Sequence, residues 1–80
     1  MRVDKYLKVT RLIKRRTVAQ EACDGERIVV NGKSAKPSKE IKVGDIIEIR
    51  FGNRTIKVCV LITEQTVKKE NASEMYEVIE

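Results

Sequence analysis

Apolar residues in the first ten positions fall at the three- and four-residue spacing of a helix. Val3, Tyr6, Leu7 and Thr10 share one side, with Asp4 in the first turn. The spacing predicts a helix over residues 3–10 whose other side carries Lys5, Lys8 and Arg11. Arg11 to Arg16 then reads as a basic connector holding Leu12 and Ile13. Thr17-Val18-Ala19-Gln20 has the pattern of a capping box and predicts a second helix from Val18 to Cys23. Ala19, Ala22 and Cys23 would be its buried side, and Gly25 would take the left-handed conformation after its end.

Beyond Gly25 the period changes from helix to strand. Ile28-Val29-Val30 is β-branched and runs into Asn31-Gly32, a strong signal for a two-residue hairpin. Pro37 and Ser38 mark a loop, and Val43-Gly44-Asp45 a turn. Ile47, Ile49 and Phe51 alternate with Glu48 and Arg50. After Gly52-Asn53, a return strand alternates Ile56, Val58, Val60 and Ile62 with polar or small residues. In the tail, Lys68 to Ser73 suits one helical turn and Met75 to Ile79 a last strand. The expected fold is α+β, with two or three short helices packed on a small, mostly antiparallel sheet. Its core would contain Val3, Leu7, Ala19, Ile28, Val30, Ile47, Ile49, Val58 and Val60. Residues 1–63 are expected to form one domain, with 64–80 packed on it or extending it.

Charge sharpens this picture because it is segregated. The 80 residues carry a net charge of +5. Residues 1–16 hold seven bases against one acid, a net +6, and the other 64 hold ten bases against eleven acids, a net −1. A cationic segment on a nearly neutral scaffold suits a polyanionic partner. A solvated helix face is the blander alternative. The longest apolar run, Val58 to Ile62, is far below the roughly 20 residues of a membrane-spanning helix. A cytoplasmic location is expected.

Candidate chemistry is sparse. There is no histidine, so Ser-His or Cys-His activation of a nucleophile is ruled out. Asp45 and Glu48 lie in a turn and on an exposed strand face, where a turn-forming and solubilising role is expected rather than acid–base work. Cys23 and Cys59 form no Cys-x-x-Cys pair, and buried, reduced thiols are expected, with no metal and no cofactor. Binding is therefore the expected function, and an enzyme is not. Arg2, Lys5, Arg11, Lys14, Arg15 and Arg16 are the candidate phosphate contacts, Thr17 would position a helix end facing the anion, and Lys33 is a lesser candidate. The three aromatics, Tyr6, Phe51 and Tyr76, are expected in the core. That favours structured RNA over stacked single strands.

Several segments taken in order carry a family resemblance. Arg2-Val3-Asp4-Lys5-Tyr6-Leu7, Arg15-Arg16-Thr17-Val18-Ala19, Gly25 to Gly32, Pro37-Ser38 and Val43-Gly44-Asp45 together resemble the S-four, or alpha-L, RNA-binding domain. The likeness covers about residues 1–50 and implies RNA held across a basic helix pair and the adjoining turn. Over the whole chain, the opening residues and the Lys68-Lys69-Glu70 and Met75-Tyr76 stretches look like small stand-alone ribosome-quality-control factors related to heat-shock protein fifteen. The chain departs from the proteobacterial heat-shock type, which has a long basic C-terminal extension. The resemblance implies binding to obstructed large ribosomal subunits carrying peptidyl-tRNA, with contacts to rRNA and tRNA and help to a factor that tails the nascent chain. A monomer is expected. The rival readings are an RNA-targeting module for a separate modification enzyme and a basic helix on an anionic membrane.

Overall fold

The computed structural model describes residues 1–64 and 69–79. Two helices, α1 (Val3–Val9) and α2 (Arg16–Asp24), lie on one face of a five-stranded antiparallel sheet. Its strands are β1 (Ile28–Val30), β2 (Lys33–Ser34), β3 (Ile46–Phe51), β4 (Arg54–Val60) and β5 (Tyr76–Val78), ordered β2-β1-β3-β4-β5. A 3-10 helix, Lys69–Met75, leads into β5. The expected α+β architecture is the one observed.

Both hairpins form where the turn residues require them. Val30 pairs with Lys33 across Asn31 and Gly32, whose φ angles of 51° and 86° are the left-handed pair of a type I′ turn. Phe51 pairs with Arg54 across Gly52-Asn53. Asn31 also fastens the hairpin to the start of β3: its side chain donates to Asp45 Oδ1 at 3.1 Å and accepts from the Ile46 amide at 2.9 Å. Asp45 accepts the Lys42 amide as well, at 2.8 Å. That is the turn-forming role expected of this acid.

All nine expected core residues are buried. Ile28, Val30, Ile47, Ile49, Val58 and Val60 line the helix-facing side of the sheet and meet Val3, Tyr6 and Leu7 of α1 and Ala19, Ala22 and Cys23 of α2. Each buried valine, leucine or isoleucine contributes about 1.5–3 kcal/mol of transfer free energy. Tyr6 is fully buried and its hydroxyl donates to the Met75 carbonyl at 2.7 Å, which draws the 3-10 helix against α1. With Val3, Tyr6 and Leu7 enclosed, α1 keeps no apolar face for a membrane surface. Among the described residues, no helix is long and apolar enough to cross a membrane.

Four expectations need correction. First, α2 starts at Arg16, with Arg15 as its N-cap in extended conformation and no side-chain cap hydrogen bond, so Thr17 is inside the helix rather than capping it. Second, Gly25 has φ −84°, and the left-handed residue is Glu26 at φ 58°. Space is tight at 25: a Cβ there would sit 3.3 Å from the Glu21 carbonyl oxygen and 3.4 Å from Arg27 Nε. Third, β4 ends at Val60, which leaves Leu61 and Ile62 exposed; Phe51, at the far end of β3, is exposed too. Fourth, Cys59 is only half-buried, whereas Cys23 is buried; both thiols are free. In the tail, helical structure and a strand occur as expected, although Lys68 lies outside the described residues.

Candidate nucleic-acid interface

Two arginines of the cationic segment, Arg2 and Arg16, converge on one buried acid. Asp4 sits on the first turn of α1 with its side chain fully enclosed. Oδ2 accepts from Gln20 Nε2 at 3.0 Å, Arg2 Nη2 at 3.2 Å and Arg16 Nε at 3.3 Å. Oδ1 accepts from the Lys5 amide at 2.8 Å and Arg16 Nη2 at 3.4 Å. Burial alone would raise the carboxyl's pKa, but the hydrogen bonds from Gln20, Arg16 and the Lys5 amide, with the Arg16 charge, hold it below the usual 3.8. Asp4 is therefore ionised at neutral pH. One carboxylate facing two guanidiniums leaves a local excess of positive charge.

Arg2 and Arg16 are fourteen positions apart in sequence, yet the fold seats both on one carboxyl group. Their side chains remain 45% and 41% exposed. Each has N–H donors beyond those given to Asp4, because a guanidinium carries five. Arg11, Lys14 and Arg15 are exposed on the connector between the helices, and Lys5 is half-buried on α1. Arg11 adopts φ 63° immediately after α1, a left-handed conformation unusual for a side chain of its size. Thr17 is exposed in the first turn of α2.

Lys33 stands apart from the helices, on the β1–β2 hairpin. It lines a cleft of about 640 Å³ with Asn31, Ser34, Lys36, Ser38 and Lys39. Lys36, Ser34 and Ser38 also line an adjoining cleft that reaches Arg2, which is itself joined to Arg16 through Asp4. Asp24 and Glu26 border that second cleft, which is therefore mixed in charge. Lys36 and Lys39 escaped the sequence reading. The signal is present in the three-residue recurrence of Lys33, Lys36, Lys39 and Lys42, but it is masked when residues 17–80 are summed to a near-neutral total.

The backbone fixes how the loop meets the helix. The Val3 amide donates to the Lys39 carbonyl at 2.8 Å and the Asp4 amide to the Pro37 carbonyl at 3.3 Å. An isolated bridge joins Arg2 to Glu40. The first amides of α1 are thus satisfied within the protein. Among the described residues, no group of three or more His, Cys, Asp or Glu side chains is placed to hold a metal ion.

A basic helix pair on a small antiparallel sheet, with a tight hairpin beside it, defines an S4-type RNA-binding module. The S4 domain model matches residues 1–47. The chain is 58% identical to the RQC P-site tRNA stabilizing factor of Streptococcus pneumoniae, over 99% of its own length and 90% of that protein's. It is 36% identical to heat shock protein 15 of Escherichia coli over 96% of its own length and 59% of that protein's. The trimeric structure of Vibrio cholerae heat shock protein 15 superposes with a TM-score of 0.87 at 30% identity, covering 98% of this chain and 80% of that one. The chain belongs to the S4 domain family, in the branch of the RQC P-site tRNA stabilizing factors.

Proposed function

We propose that this chain is a non-catalytic RNA-binding factor of ribosome-associated quality control. It binds large-subunit rRNA and tRNA on obstructed subunits that carry peptidyl-tRNA, and so supports the factor that tails the nascent chain. The observation that carries the reading is the seating of Arg2 and Arg16 on Asp4 within the cationic segment, in a chain 58% identical to a P-site tRNA stabilizing factor. Arg2, Lys5, Arg11, Lys14, Arg15 and Arg16 contact phosphates in this reading. Thr17 lies at the helix end that faces them, and Lys33 engages a more distant part of the RNA. The protein acts as a cytoplasmic monomer, with residues 1–63 as the RNA-binding domain and 64–80 extending it.

Two measurements test this. Sucrose-gradient sedimentation combined with crosslinking and sequencing of bound RNA should place the protein with free large subunits and tRNA; a spread over unrelated RNAs would refute the reading. In vitro, Arg16→Ala should weaken RNA binding and lower the slope of log affinity against log salt by about one unit or less. The fold should survive, because Asp4 keeps Arg2, Gln20 and the Lys5 amide. An unchanged affinity and slope would remove Arg16 from the RNA surface.

A further inference from the structure

An acid in the middle of a phosphate-binding surface repels the ligand, so on charge alone Asp4 should weaken RNA binding. Its geometry points the other way. Asp4 Oδ2 gathers three donors from three parts of the chain: Arg2 before α1, Arg16 at the start of α2, and Gln20 one turn further along. The carboxylate is fully buried while the two guanidiniums are nearly half exposed. Its own charge is therefore screened from solvent by the groups it holds, and their outer edges form the accessible surface.

We infer that Asp4 is a positioning residue for RNA binding, fixing the Arg2 and Arg16 guanidiniums in one orientation so that their remaining donors meet adjacent phosphates. The role presupposes that this surface binds RNA, as proposed above. An unrestrained arginine loses rotamer freedom when it binds, whereas one already held by a buried carboxylate has lost much of it on folding. Gln20 contributes from the side: its amide occupies the third donor position on Oδ2, which keeps the carboxyl from turning towards either arginine alone.

Asp4→Asn separates positioning from plain electrostatics because the two predict opposite signs. The substitution raises the net charge from +5 to +6, which by itself tightens binding to a polyanion. It also presents one uncharged oxygen to donors that now converge on both carboxylate oxygens, so Arg16 loses one of its two hydrogen bonds in either orientation of the amide and neither guanidinium keeps a charged partner. Affinity for unfractionated tRNA is measured by fluorescence anisotropy across a salt series, at a temperature where circular dichroism shows each variant folded. Asp4→Asn should bind roughly fivefold to tenfold more weakly. Its salt slope should be reduced by about one, which a mere loss of active protein would not produce. Asp24→Asn, the same charge change at an exposed acid, should bind as tightly as the wild type or more tightly.

If Asp4→Asn binds as well as the wild type or better, the positioning role is wrong, while wild-type binding still upholds the RNA reading. If the wild-type chain shows no salt-dependent binding, the RNA reading fails first. Should Asp4→Asn not fold, Gln20→Leu decides. It removes one donor from Oδ2 at constant charge and should weaken binding roughly twofold to threefold, and an unchanged affinity would overturn the inference.

Discussion

Tyr6 and Met75 are joined by a buried hydrogen bond, phenol to backbone carbonyl, at 2.7 Å across 69 positions of sequence. The Met75 carbonyl also accepts the Leu61 amide at 2.8 Å and the Ile62 amide at 3.1 Å. Tyr6→Phe therefore removes one of three donors and leaves the acceptor satisfied. The expected loss is at the low end for a buried hydrogen bond, about 1 kcal/mol in urea unfolding, with RNA affinity unchanged. A loss of affinity larger than the loss of stability would mean that the 3-10 helix also bears on the RNA surface.

Arg11 is held at φ 63°. A side chain in that region costs of order 1–3 kcal/mol, partly offset in any comparison with glycine by the extra freedom glycine gives the unfolded chain. Arg11→Gly should thus leave stability unchanged or raise it by up to about 1 kcal/mol. The same variant should bind tRNA more weakly, with a shallower salt dependence. A gain in stability with intact binding would make Arg11 a structural accident rather than a contact.

Asn31 holds the hairpin to β3 through two side-chain hydrogen bonds and sits at φ 51°. Asn31→Ala loses both bonds and places a less tolerant residue in a left-handed conformation. Chemical denaturation should show a loss of about 2–3 kcal/mol. Asn31→Gly should recover the conformational part but not the hydrogen bonds, so its loss should fall between wild type and alanine.

Stability should decline at both ends of the pH scale, for different reasons. The Asp4 carboxyl lies below its usual 3.8 in the folded protein, so the unfolded chain takes up a proton first as the pH falls. Its contribution is complete above that usual value and is lost as acid titrates the folded form. Burial, followed by the charges of Asp4 and Asp24, pushes the Cys23 thiol from 9.0 up to about 11, and burial raises the Tyr6 phenol as well. Between pH 9 and 11 the unfolded thiol ionises while the folded one stays neutral, so stability falls as pH rises through that window. Replacing Cys23 with alanine should flatten the alkaline decline without touching the acid limb; melting curves from pH 3 to about 11 would show both.

The sheet was legible because its signals are local. Asn31-Gly32 prescribes one turn, and the alternation around Ile47, Ile49, Val58 and Val60 prescribes one buried face. Phe51 keeps the same alternation, yet it is exposed beside a cleft it shares with Val18 and Ala22 of α2, and periodicity carries no information about how closely a partner layer covers a strand. The start of α2 departs from its local pattern for a related reason. Thr17 and Gln20 match a local capping pattern, but in the fold Gln20 turns to Asp4 and Arg16 joins it there. Both engagements are tertiary, and they accompany a helix that begins one residue before the proposed cap. The crowding of bases into residues 1–16 is readable in the sequence; that Arg2 and Arg16 share an acceptor is not, because nothing in their spacing announces it.

The two hydrogen bonds from the first amides of α1 to the Pro37 and Lys39 carbonyls make the lysine loop and the Arg2 end of the helix a single stiff bracket. The separation between the Arg2 guanidinium and the loop lysines is then set by main-chain geometry and only adjusted by side-chain rotation. Under the RNA-binding role proposed above, such a bracket would work as a calliper, favouring RNA whose backbones pass at one distance from each other over RNA whose backbones do not. Lengthening residues 36–40 by a single amino acid would reset that distance while leaving every cation in place.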